Sequence, residues 1–124
     1  HHGITGDAVT RAVGVHDLMR GHETALLQPL LDFLKDRNSA RLIGPVEAEQ
    51  KAPTVAVALN RPGIDAATEL AQHGIMAGGG DFYAVRPLTA MGVDPERGVL
   101  RLSFVHYTTR AEVDKLLTAL DDIL

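Results

Sequence analysis

Cysteine is absent from the 124-residue chain. No disulfide framework can staple it, and no thiolate of its own can serve as nucleophile or metal ligand. Long hydrophobic runs are absent too, so nothing in the sequence approaches the length needed to cross a membrane. Lys and Arg are scattered rather than clustered, which argues against nucleic acid as a partner. The net charge of -4 is too small to imply a special electrostatic partner. There is no secretory signal pattern. The P-loop ending Gly-Lys-Ser/Thr, the dinucleotide pattern GxGxxG and the zinc motif HExxH are all missing. The chain opens on His1-His2, a pair of the kind an expression tag leaves, close to the start of a helical pattern. Both features suggest a cut from a longer chain, and a cytoplasmic location is expected.

What remains is an ordinary globular balance, 45% hydrophobic and 23% charged. One domain is expected, with about two-thirds of the unfolded surface buried on folding. Residues 7–37 carry Val9, Val13, Leu18, Met19, Leu26, Leu30 and Leu34 on roughly one helical face. Gly14, Gly21 and Pro29 interrupt this pattern and predict two helical pieces or one kinked helix. Strands are expected at "RLIGP" (41–45), "TVAVALN" (54–60), "GIMAG" (74–78) and "GVLRLSF" (98–104). A polar connector separates the first two. A short helix is expected over 64–73, closed by Gly74 as its cap. "FYAVRPLTAMG" reads as a turn or short helix, then a loop. In the last segment Thr109 stands three residues before Glu112, the spacing of a capping box. Val113, Leu116, Leu117, Leu120 and Ile123 then form an apolar stripe. The sum is an α+β domain with a long N-terminal helical segment. Its sheet is small, mixed or antiparallel, with about three or four strands and helices covering one face.

Chemistry-bearing residues are few. Gly78, Gly79 and Gly80 form an unbroken run followed by Asp81, a poor neighbour for phosphate. The run reads first as a flexible turn, with a loop for close ligand approach as the alternative. None of His1, His2, His16, His22, His73 and His106 has metal-site spacing, and His106 beside Tyr107 is the one to watch. Arg101 interrupts an apolar strand. Alternation alone puts it on the solvent side, while a guanidinium on a rigid strand could also grip a carboxylate in bidentate fashion. Asp121, Asp122, Glu47 and Glu49 read as solvated charge.

The closing "GVLRLSFVHYTTRAEVDKLLTALDDIL" resembles the C-terminal end of class V aminotransferases, particularly cysteine desulfurase-like proteins. The matching features are Arg101-Leu102-Ser103, then Tyr107-Thr108-Thr109, then Ala111-Glu112-Val113-Asp114 and the leucine-rich helix. "HGIMAGGGDFYA" is similar to the preceding loop of that family. "HETALLQPLLDFL" resembles the helix joining its two domains, and "HHGITGDAV" the segment that closes its large domain.

The resemblance implies a fold type I enzyme using pyridoxal 5'-phosphate on an amino acid, usually a homodimer. It implies that residues 1–37 link to a large cofactor-binding domain and that 38–124 form the small C-terminal domain. It places Arg101 on the substrate carboxylate and Gly78, Gly79, Gly80, Asp81 and Tyr83 in an active-site loop. Neither Lys35, Lys51 nor Lys115 has the setting of the family's imine-forming lysine, so this chain alone should lack activity and cofactor. The sequence also departs from the desulfurases. Tyr83 stands where their cysteine would be, glycine near Gly78 replaces an arginine, and Thr108 replaces an asparagine. Persulfide formation by this loop is therefore not implied. The competing expectation is a stand-alone α+β ligand-binding or protein-interaction domain with no cofactor.

Overall fold

The longest apolar periodicity becomes the longest element. In a computed structural model, which describes residues 2–124, helix α1 runs from Ala8 to Lys35. His1, and with it the reading of the opening histidine pair, lies outside the described residues. Asp7 caps α1, its carboxylate accepting the Thr10 N–H at 2.8 Å. The helix is uninterrupted at Gly14, Gly21 and Pro29, so the two-piece alternative is not what forms. Pro29 removes one backbone hydrogen bond, but Leu26, Leu27, Leu30, Leu31 and Leu34 are buried on both sides of it. Tertiary packing of that stripe outweighs the local break.

After α1 come β1 (Ala40–Ile43), one 3-10 turn at Ala48–Gln50, and β2 (Thr54–Leu59). Then follow α2 (Gly63–Gln72), β3 (Gly78–Gly80), α3 (Val85–Ala90), β4 (Val99–Ser103) and α4 (Arg110–Ile123). The four strands form one open sheet in the order β1-β2-β4-β3. Every neighbouring pair is antiparallel.

Alternation sets the faces. Val55 pairs with Leu102 and Val57 with Leu100, and all four are buried beneath α1, α2 and α4. The 3-10 turn joins this core through Ala48, whose N–H donates to Gln28 Oε1 at 2.8 Å. The opposite face bears Ala56, Ala58, Val99 and Arg101. Part of it is closed by Leu88 of α3 and Val93, which gather with Val99, Ile43, Phe82 and Ala84 into a second small cluster.

Two helix ends follow the sequence closely. Gly74, at φ +69, closes α2, with Gly74 N–H to Ala71 O and Ile75 N–H to Leu70 O, both at 3.0 Å. That pair of bonds is a Schellman cap. Thr109 and Glu112 form the reciprocal capping box of α4.

One strand is displaced from its expected position. "GIMAG" was placed at 74–78, but β3 is the glycine run itself. Ile75 and Ala77 instead pack against the main core from the connector. The glycines are selected by proximity. A Cβ on Gly79 would stand 2.3 Å from the Ile64 backbone, and one on Gly63 2.3 Å from the Val99 carbonyl. The first turn of α2 therefore lies directly on the sheet edge, at a distance no side chain allows. The glycine run is a strand held against a helix, which corrects its reading as a flexible turn. Among the described residues no helix is long and apolar enough to cross a membrane.

Candidate functional site

Strand β4 presents Arg101 on the partly covered face of the sheet. Its ladder neighbours are Ala56 on one side and Gly78 on the other. Both are small, and the space beside Gly78 is taken by the Phe82 ring. Its central carbon is 4.0 Å from the centroid of the Phe82 ring, within the range of a cation–π contact.

Most other arginines are occupied. Arg61 grips Glu69 with both terminal nitrogens, at 2.5 and 2.7 Å, and also donates to Ile123 O. Arg37 pairs with Asp121, Arg97 with Asp94 and Arg110 with Asp114. Arg11, Arg20 and Arg41 donate to backbone carbonyls. Among the described residues no carboxylate lies within the 4.0 Å ion-pair limit of Arg101. Its donor edges are thus available to an external anion. Among the described residues Arg86 on α3 is the one other arginine with neither a carboxylate nor a backbone carbonyl as partner.

The loop from β3 to α3 is built around Asp81. Its carboxylate accepts the Tyr83 N–H at 3.1 Å, and its carbonyl accepts the Ala84 N–H at 2.8 Å. Phe82 and Tyr83 have φ of 50° and 60°. Two successive non-glycine residues in the left-handed region cost roughly 1–2 kcal/mol each. The turn sends Phe82 back to the sheet, where it joins the second apolar cluster. Tyr83 projects outward and is 102% exposed.

Of the residues singled out in the sequence, Arg101, Gly78, Asp81 and Tyr83 therefore belong to one corner of the molecule. Gly79 and Gly80 continue the same strand, with Gly79 spent on contact with α2. Phe82 is the residue the sequence did not reveal. Nothing local marks it, because its relation to Arg101 exists only through the β3–β4 pairing.

His2, His22 and His106 border one groove beside the N-terminal half of α1, while His16 and His73 lie elsewhere. His22 Nε2 donates to Thr108 O at 2.8 Å and ties α1 to the loop before α4. His16 lies beside Asp17, and His73 is 4.0 Å from Asp122. His106 packs edge to face on its neighbour Tyr107 and borders the groove beside Leu18 and His22 of α1. Among the described residues no group of three potential ligands could hold a metal ion.

Nor do these residues fit pyridoxal 5'-phosphate. The glycine run is an edge strand followed by an acid, not a phosphate cradle. Lys35 ends α1 and Lys115 lies on α4. Lys51 borders a groove along α1, and partial burial holds its ammonium below the usual lysine range. None of the three meets the Arg101 corner.

The family profile "Aminotransferase class-V" matches residues 9–116. The "Aminotransferase-like protein FGM3" of Gibberella zeae is 27% identical over 112 residues, covering 87% of this chain and 28% of that protein. The apo cysteine desulfurase of Thermococcus onnurineus superposes with a TM-score of 0.78 over 93% of this chain and 28% of that one. At 22% identity that likeness concerns the fold. The cysteine desulfurase CsdA of Escherichia coli gives a TM-score of 0.69 at 25% identity, over 94% of this chain and 26% of its own. A NifS-like protein gives 0.70 at 27%, over 92% and 30%. The chain thus spans less than a third of the length of each of these proteins.

Proposed function

The chain belongs to the class V aminotransferases, and we propose that it serves as the small C-terminal domain of a pyridoxal-phosphate enzyme acting on an amino acid. In this reading residues 38–124 form that domain, and residues 1–37 lead to a large cofactor-binding domain in a homodimeric enzyme. Arg101 binds the substrate α-carboxylate. The observation that carries the reading is the guanidinium of Arg101, which stands on a rigid strand beside the β3–α3 loop with no carboxylate of its own.

The role follows from the chemistry of the group. A planar guanidinium offers paired N–H donors that match both oxygens of a carboxylate. Fixing one end of the amino acid limits rotation of the rest, so the bond to be broken at Cα is held in one orientation. The cofactor, held by residues outside this chain, supplies the electron sink. This chain binds and orients, and by itself is inactive. With Tyr83 and no cysteine in the loop, it supplies no sulfur nucleophile.

Steady-state kinetics of the full-length enzyme test the assignment. Arg101→Ala is expected to raise KM for the amino acid by roughly a hundredfold, the weight of a lost charge-assisted pair. Arg101→Lys should recover only part of the loss, since an ammonium cannot reproduce the paired geometry. Unchanged saturation by every amino acid turned over would refute the role.

A further inference from the structure

We propose that Phe82 is a positioning residue for Arg101, held in place by a slot that Gly78 leaves open. This inference rests on the reading of Arg101 as the carboxylate-binding group.

Three observations meet at this point. The guanidinium carbon of Arg101 sits over the Phe82 ring, 4.0 Å from its centroid. Gly78 is the ladder partner of Arg101, and a Cβ there would stand 3.0 Å from Phe82 Cζ and 3.1 Å from Cε1. The same Cβ would be 4.0 Å from Arg101 Nε. The first glycine of the run is therefore the gap through which the ring reaches its cation. Phe82 also keeps a left-handed φ of 50°, a conformation that persists only where surrounding contacts enforce it.

The consequence for binding is geometric. An exposed arginine has many rotamers, and ordering it costs conformational entropy when a ligand arrives. A ring on one face restricts the guanidinium without consuming any N–H donor. Its edges remain directed at an incoming carboxylate. Phe82 acts on affinity for the carboxylate and leaves the chemistry at Cα unchanged.

The test uses the full-length enzyme and calorimetric titration with the twenty common amino acids, together with turnover of those that react. Phe82→Leu should weaken amino-acid binding about three- to tenfold, with kcat nearly unchanged. Phe82→Tyr should restore parental affinity. In an Arg101→Ala background Phe82→Leu should have no further effect. Pentafluorophenylalanine at position 82 keeps the shape and reverses the ring's charge distribution, so it should weaken binding even if Phe82→Leu does not fold. Parental affinity in that fluorinated protein would overturn the inference, as would an undiminished effect of Phe82→Leu without Arg101. If Arg101→Ala itself leaves binding unchanged, or no amino acid binds the parent, the carboxylate reading falls and this inference with it.

Discussion

Neighbouring residues, more than side-chain identity, decide what each key position does. Arg101 differs from Arg61 because one guanidinium faces an aromatic ring and the other a carboxylate. The glycines divide in the same way. Gly79 has backbone 2.3 Å from where its Cβ would be, whereas Gly21, inside α1, has nothing within 4 Å. Gly79→Ala must push α2 off the sheet edge, and it is expected to lower stability by about 2 kcal/mol or more. Gly21→Ala removes a flexible residue from a helix interior and should raise stability by about 0.5–1 kcal/mol. Urea unfolding of the two variants checks both signs. Equal responses would show that the contact between α2 and β3 is looser than drawn.

Helix α4 shows how an element is secured by its ends as well as by its stripe. The Thr109 hydroxyl accepts the Glu112 N–H, and the Glu112 carboxylate accepts the Thr109 N–H at 2.7 Å. Thr109→Ala is expected to cost about 1 kcal/mol. Those hydrogen bonds from Thr109 also hold the Glu112 carboxyl below the usual glutamate range. A carboxyl lowered in the folded state adds stability above its unfolded pKa, and the gain disappears as pH falls through the lowered value. Glu69 is lowered likewise, first by its hydrogen bonds from Arg61. Stability of the parent should therefore decline as pH drops below the ordinary glutamate range. Glu112→Gln should decline less steeply, as urea midpoints taken along the pH series would show. Parallel curves would remove the linkage.

For the whole molecule, α1 is the informative element because its two halves meet different surroundings. Leu26 to Leu34 complete the core, while Val9, Val13, Val15 and Leu18 are exposed, Val9 at 71%. Open grooves of about 740 and 760 Å³ run beside this free half. In the proposed enzyme the rest of the chain covers that surface. The 124-residue chain alone should therefore bind a hydrophobic dye, and the full-length enzyme should bind much less per molecule. Equal binding would leave the free half of α1 uncovered in both.

Legibility followed the range of the forces involved. Local signals placed α2 with its glycine cap, α4 with its capping box, and β2 and β4 by their valines and leucines, because caps and alternation act over a few residues. Of the two expectations for residues 7–37, two pieces or one kinked helix, the two-piece form did not arise, for the opposite reason: leucines on either side of Pro29 pack into a core built from distant strands. The strand expected at 74–78 failed because apolar pattern favours residues with side chains, and contact with α2 selected residues without them. The sequence alone determined the α+β class, the glycine cap of α2, the capping box of α4 and the alternation that puts Arg101 opposite the main core. Only tertiary structure decided that Gly78 opens a gap beside Arg101, that Phe82 fills it, and that among the described residues no carboxylate pairs with the guanidinium. Those facts depend on strands and loops far apart in the chain meeting at van der Waals distance, which no local pattern encodes.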